Sequence, residues 1–239
     1  MTVRRPRCPR CLRPQSAQND ACICRWARPV DVQTRVLMLQ HPLEANNPKG
    51  SARLLHLSLP GSQLVVGEVF EEALLIAAMS GGADAHGNAC WQPVLLYPAD
   101  PADLSDLSDL ADSSAAVQPA EARSSASFMA SDGRYICLVV LDGTWRKSRT
   151  MLQCNPVLQR LPRLSLQPSA PSRYTVRKAH RSDQRSTLEA ACEALAQIEG
   201  APDDKFDALL SAFDGFVAQQ MGYRASLPSS VLTAQVNHP

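Results

Sequence analysis

The sequence predicts an α/β protein: a mainly parallel sheet with flanking helices, preceded by a small N-terminal zinc-binding segment. Three observations carry that expectation. Short apolar runs of strand length alternate with helix-patterned stretches, the order that builds parallel sheets. The run Tyr-Ile-Cys-Leu-Val-Val-Leu over 135–141 is continuously apolar, as a strand buried on both faces must be. And Cys8, Cys11, Cys22 and Cys24, half of the chain's 8 cysteines, crowd into a stretch rich in Arg and Pro.

In chain order, the spacing C-x2-C followed by C-x-C over residues 1–30 reads as a metal site. In a reducing compartment clustered thiols are metal ligands more often than disulfides. Four thiolates close a tetrahedral zinc and can fold a segment with no apolar core of its own. An iron–sulfur cluster or free thiols are the alternatives. The other four cysteines, Cys90, Cys137, Cys154 and Cys192, sit singly in apolar surroundings and read as small core residues. Residues 35–39 form a strand, and the polar turn after it starts at His41. Residues 52–59 are apolar and read as a helix end or a strand. A short strand at 64–67, a short helix at 71–78 and a strand at 93–97 stopped by Pro98 follow. The apolar run 135–141 leads into Asp142, Gly143, Thr144 and Trp145, then into a helix reaching about Cys154. Residues 161–166 can form another strand. Ser186 and Glu189 have capping-box spacing, opening a helix with Leu188, Ala191, Cys192, Leu195 and Ile198 on one face. Asp203 can cap a last helix, with Phe206, Leu209, Leu210, Phe213, Val217 and Met221 inward and Gly222 beyond its end.

The formal net charge of +1 conceals segregation. Residues 1–30 carry seven arginines against Asp20 alone, a net +6. Residues 143–187 carry ten Lys/Arg against Asp183 alone, a net +9. Residues 99–132 carry six Asp and Glu121 against Arg123, a net −6. Basic clustering of this size points to an anionic partner, nucleic acid first. The acidic stretch is rich in Ala, Ser, Pro and Asp, so a disordered or loosely helical insertion is expected there. No apolar run is long enough to span a membrane. The first ten residues are polar and basic, so no secretory leader and a cytoplasmic location are expected.

Asp142 follows the most buried strand, where sites in open α/β sheets lie. It is the one acidic residue between 133 and 182. A carboxylate there can orient or deprotonate a substrate. Thr144 adds a hydroxyl, Trp145 a flat face for a base, and Arg146, Lys147 and Arg149 positive charge. The same spacing also fits a helix N-cap, with Asp142 capping and Trp145 packing.

Asp142 to Trp145 resembles the D-x-T-W signature of the DTW-domain family. The order of other motifs extends the likeness from about residue 8 to 222: the cysteines, Leu-Gln-His-Pro-Leu-Glu over 39–44, Leu-Leu-Tyr-Pro over 95–98, Leu-Pro-Arg-Leu-Ser-Leu over 161–166, Tyr-Thr-Val-Arg-Lys over 174–178 and Ser-Thr-Leu-Glu-Ala over 186–190. The resemblance implies a SPOUT-like knotted domain over 31–224, interrupted by 99–132 and followed by a flexible tail at 225–239. It implies a tRNA-uridine aminocarboxypropyltransferase, which moves the 3-amino-3-carboxypropyl group of S-adenosyl-L-methionine to a uridine and releases methylthioadenosine. Asp142, Thr144 and Trp145 are then the expected catalytic residues. Tyr97, Pro98, Leu164, Ser186, Thr187 and Glu189 are the expected contacts to the co-substrate. Arg146, Lys147, Arg149, Arg177, Lys178, Arg181 and Arg185 are the expected contacts to tRNA, and Cys8, Cys11, Cys22 and Cys24 hold a structural zinc. A SPOUT-like RNA methyltransferase and a non-catalytic zinc-containing RNA-binding protein are the alternatives. No stable protein partner is evident; SPOUT relatives are often dimers, which leaves a homodimer open.

Overall fold

The computed structural model describes residues 6–15, 21–81, 91–98, 122–123, 135–166, 185–202 and 204–225. Its centre is a six-stranded, wholly parallel sheet. The strands are β1 (Arg35–Gln40), β2 (Gln63–Val66), β3 (Trp91–Leu96), β4 (Ala122–Arg123), β5 (Tyr135–Asp142) and β6 (Arg163–Leu164), in the order β2-β1-β5-β3-β6-β4. The helices are α1 (Pro42–Ala45), α2 (Ala52–Ser58), α3 (Glu72–Ser80), α4 (Trp145–Cys154), α5 (Pro156–Gln159), α6 (Thr187–Glu199) and α7 (Asp207–Ala225).

Side-chain alternation along the strands divides the core into two layers. Val36, Met38, Val94, Leu138, Val140 and Leu164 face α2, α6 and α7. Leu37, Leu39, Leu95, Val139 and Leu141 face α3, α4 and α5. In β5 only Tyr135 is exposed, which is why its sequence shows no alternation.

The chain leaves β1 toward β2 at one edge, and leaves β5 toward β6 on the other side. Connections diverging from neighbouring strands open a crevice at their carboxyl ends. Gln40 and Asp142, paired in register, are the last residues of those two strands.

The expected strands and helices are present, with corrections. Residues 52–58 are a helix, because Ala52, Leu54, Leu55 and Ser58 bury one side of it. The expected strand at 161–166 narrows to Arg163–Leu164. Gly222 does not end the last helix, which runs on to Ala225, and Met221 is exposed. Ala122–Arg123, inside the acidic stretch, pair with β6 as an edge strand, where composition gave no sign of an element. Cys137 and Cys192 are buried, whereas Cys154 is exposed at the end of α4. Asp203, Cys90, the rest of 99–132 and 226–239 lie outside the described residues. Among the described residues no helix is long and apolar enough to cross a membrane.

Candidate active site and metal centre

β5 delivers Asp142 into the crevice, 5% exposed. Its Oδ2 accepts a hydrogen bond from Gln40 Nε2 at 2.7 Å, and its Oδ1 accepts one from Thr187 Oγ1 at 2.6 Å. Both oxygens thus accept from donors, the pattern of an ionised carboxylate. Its backbone carbonyl accepts from His41 N at 3.0 Å. Three segments far apart in sequence therefore meet on one carboxylate.

The helix-cap alternative for Asp142 is overturned. Thr144 is the N-cap of α4, its hydroxyl accepting from Lys147 N, and Trp145 is 44% exposed rather than packed. Trp145 keeps an edge contact with Tyr97, ring centroids 6.1 Å apart. Gly143 does not use glycine's left-handed region; a Cβ there would crowd Lys147 Cβ at 3.1 Å and Ser148 Oγ at 3.3 Å.

The expected co-substrate residues divide. Thr187 reaches Asp142. Ser186 and Glu189 form a complete capping box at the start of α6: Ser186 Oγ accepts from Glu189 N at 3.2 Å, and Glu189 Oε2 accepts from Ser186 N at 2.9 Å. Tyr97 is buried, with its hydroxyl lacking a hydrogen-bond partner among the described residues, and burial pushes its pKa up. Leu164 is fully buried and its carbonyl accepts from Tyr97 N at 3.2 Å, while the Pro98 carbonyl accepts from Arg163 Nη1 at 3.5 Å.

Two of the residues expected at RNA have partners inside the protein. Lys147 Nζ lies 2.8 Å from Oε1 of Glu44, whose side chain is 5% exposed, and Asn47 Nδ2 donates to Oε2 of the same carboxylate at 2.7 Å. Arg185 Nε lies 2.7 Å from Glu193 Oε2. Arg146 and Arg149 are exposed on α4. Arg177, Lys178 and Arg181 lie outside the described residues.

Sequence reasoning gave no role to Gln40, His41, Glu44 or Arg163. His41 caps α1 with Nδ1 accepting from Leu43 N, and its Nε2 stands 3.8 Å from Glu68 Oε2. The signals available were the polar run Gln-His over 40–41 directly after an apolar strand and the place of these residues in the family-like runs over 39–44 and 161–166.

The four cysteine sulfurs lie within 4.8 Å of one another, with Cys8–Cys24 and Cys11–Cys22 each 3.7 Å apart. A regular tetrahedron with metal–sulfur bonds of about 2.3 Å separates its sulfurs by about 3.8 Å, so the donor set fits zinc. The turn that presents Cys8 and Cys11 holds Leu12 at φ 59, left-handed for a residue with a Cβ. Such a conformation costs about 1–3 kcal/mol and persists only where its surroundings impose it. Cys11 N–H and Arg10 N–H draw the Cys8 thiol down to about 6, while burial pushes Cys22 and Cys24 up. Cys8, Cys11 and Ile23 belong to the same apolar cluster as α2, α6 and α7. Trp26 closes on Gly215 of α7, where a Cβ would come within 2.3 Å of the indole, and its Nε1 donates to Gln219 Oε1.

The DTW domain profile matches residues 5–221. The chain is 26% identical over 205 residues to a protein of Macaca fascicularis named tRNA-uridine aminocarboxypropyltransferase 2, covering 82% of this chain and 57% of that one. The mouse protein of the same name is 27% identical over 201 residues, with the same coverage. The Drosophila melanogaster protein of that name is 29% identical over 207 residues, covering 84% of this chain and 69% of the relative. The chain thus spans little more than half the length of the two mammalian relatives. No solved structure matches it significantly.

Proposed function

From the premise that this chain belongs to the DTW domain family, we propose that it is a tRNA-uridine aminocarboxypropyltransferase with S-adenosyl-L-methionine as co-substrate. The observation that carries the reading is the Asp142 carboxylate, buried at the crevice between β1 and β5 and fixed by Gln40 and Thr187. The names of the relatives supply the substrate class.

The co-substrate supplies an electrophilic carbon beside a sulfonium, a good leaving group. The uridine supplies its imide nitrogen, a weak acid that must lose a proton to become nucleophilic. Asp142 holds or accepts that proton and orients the ring. The nitrogen attacks the γ-carbon of the arm, the carbon–sulfur bond breaks, and its electron pair leaves on sulfur as neutral methylthioadenosine. The proton passes through the carboxylate to solvent. Because the sulfonium needs little activation, alignment dominates the rate, and a carboxylate pinned on both oxygens supplies it. Trp145 offers an exposed face against which the uracil can stack.

Arg146 and Arg149, together with Arg177, Lys178 and Arg181, position the tRNA through phosphates. Cys8, Cys11, Cys22 and Cys24 hold zinc in a structural role, since four thiolates leave no position for substrate. The knotted SPOUT-like arrangement belongs to the same proposal. In its support, β6 lies two strands away from β5 in the sheet, with β3 between them, and the chain at Thr187 meets Asp142 at the carboxyl end of β5. A cytoplasmic location belongs to the same proposal.

The test is incubation with tRNA and S-adenosyl-L-methionine. Methylthioadenosine release and a mass gain of one aminocarboxypropyl group on a uridine are expected. A gain of one methyl group would make the protein a methyltransferase and overturn the reading. Binding of tRNA without either product would leave a non-catalytic RNA-binding protein.

A further inference from the structure

Arg163 begins β6, and since Leu164 faces the α6–α7 layer, Arg163 turns to the opposite face. There it is 6% exposed. Its guanidinium lies over the Tyr97 ring at 5.4 Å from the centroid, and Nη1 makes only the long contact to the Pro98 carbonyl at 3.5 Å. Nε is shielded from solvent and has no hydrogen-bond partner among the described residues. The Tyr97 hydroxyl, belonging to the same stacked pair, is buried and equally without one. Among the described residues no carboxylate lies within ion-pair distance of Arg163.

A guanidinium is always charged in a protein, and a buried cation without a counter-charge is among the costlier features a fold can carry. Lys147 and Arg185 have their carboxylates, whereas Arg35 Nε is likewise shielded without a partner among the described residues, its guanidinium over the Trp91 ring at 5.9 Å from the centroid. Arg163 differs in that its unmet Nε stands beside a second unmet donor, the Tyr97 phenol. A planar fork with a neighbouring hydroxyl suits a small planar anion, a carboxylate above all. Arg163 pairs in register with Leu95 near the carboxyl end of β3, Tyr97 lies just beyond that end, and Tyr97 touches Trp145, three residues beyond Asp142.

We propose that Arg163 and the Tyr97 hydroxyl bind the α-carboxylate of the aminocarboxypropyl arm of the co-substrate, an assignment that rests on the transferase reading above. Three carbons flank the sulfonium, and only one of them belongs to that arm. Anchoring the carboxylate fixes rotation about sulfur and so decides which carbon meets the imide nitrogen. A phosphodiester of the RNA backbone is the other anion at hand, but a site this shielded favours the narrow end of a small molecule.

The experiment measures binding of three ligands to the purified full-length chain by calorimetry: S-adenosyl-L-methionine, its decarboxylated analogue, and methylthioadenosine, which lacks the arm. The unaltered protein is expected to favour S-adenosyl-L-methionine over the decarboxylated analogue by about 10–100-fold. Arg163→Met, which keeps the volume and removes the charge, is expected to abolish that preference and leave methylthioadenosine affinity unchanged. Equal affinity of the unaltered protein for the first two ligands, or a preference surviving in Arg163→Met, overturns the assignment. Failure of the unaltered protein to bind any of the three instead refutes the transferase reading on which it rests. Thermal unfolding without ligand is the second measurement. A cation held for a ligand should be no loss to the empty protein, so Arg163→Met should melt at the same temperature or higher. A lower melting temperature, or failure to fold, makes Arg163 structural and overturns the proposal. A tRNA-binding salt slope reduced by about one unit in Arg163→Met makes the anion a phosphate and overturns it as well.

Discussion

Replacing Asp142 by Asn separates chemistry from architecture, because the site can absorb the new amide. The carbonyl oxygen of that amide would still accept from Thr187 Oγ1, now 2.6 Å from the carboxylate. Its nitrogen would face Gln40, whose Nε2 currently donates to Asp142 at 2.7 Å and whose Oε1 is buried without a partner. Turning the Gln40 amide over presents Oε1 to the new donor, so both hydrogen bonds are kept. What is lost is the charge assistance in each, and the unmet group moves from Oε1 to Nε2. The expected cost is about 1–2 kcal/mol, since charged hydrogen bonds exceed neutral ones by about that much. In a chain of this length that lowers the melting temperature by about 2–8 °C. The proton-handling group, by contrast, is gone. General acid–base groups contribute about 10²–10⁴-fold, so single-turnover methylthioadenosine release should fall by that factor while tRNA and co-substrate still bind. Near-normal turnover in Asp142→Asn would refute a chemical role. A collapse of the fold would refute the reasoning about the Gln40 amide.

Metal analysis of protein purified without chelator should find about one zinc per chain, and removing it should lower the melting temperature of the whole domain, because Cys8 and Cys11 share a core with α6 and α7. Gly215→Ala should destabilise by about 1–3 kcal/mol and speed zinc loss to a chelator, since the new Cβ meets the Trp26 ring; unchanged melting would show that the Trp26 segment and α7 are not locked together. Lys147→Met should lower stability by about 1–3 kcal/mol, removing the cation beside a Glu44 side chain that is 5% exposed. Arg146→Ala, Arg149→Ala and the pair Arg177→Ala with Lys178→Ala should instead weaken tRNA binding, each lost phosphate contact reducing the log–log salt slope by about one unit. Deletion of residues 102–120, which spares Ala122–Arg123 in the sheet, should leave melting and turnover unchanged; a large loss in either would show that the acidic stretch packs.

Local signals in the sequence were strong where the physics is local. The apolar run into Asp142, the capping box of Ser186 and Glu189, and the cysteine spacing each depend on neighbours in the chain, and each reappears in the structure. The cap was placed at Asp142 and not at Thr144 because cap geometry within Asp-Gly-Thr-Trp turns on which residue first turns helical, and that differs by only two positions. Lys147, expected at RNA, has a partner inside the protein that charge patterning cannot see. Glu44, its partner, lies 103 residues earlier. Ala122–Arg123 carried no signal because two edge residues gain their order from β6 and not from their own composition.

The same distinction explains why Gln40 escaped notice and why it matters. In sequence Gln40 stands only as a member of the family-like run over 39–44, with no role of its own. It acquires meaning only through the parallel pairing of β1 with β5, which sets Gln40 opposite Asp142. Thr187 acquires its meaning only when α6 docks with Ser51 Oγ accepting from Leu188 N at 3.3 Å. The carboxylate is thus aligned by two contacts spanning 102 and 45 residues, neither of which forms until the sheet and its α6 layer are assembled. Alignment is what a reaction with a ready leaving group requires most. On the proposed chemistry, the cysteine-rich segment, packed against that same layer, is expected to bear on the rate through the fold: loosening α7 or α6 would free Thr187, and with it one of the two holds on Asp142.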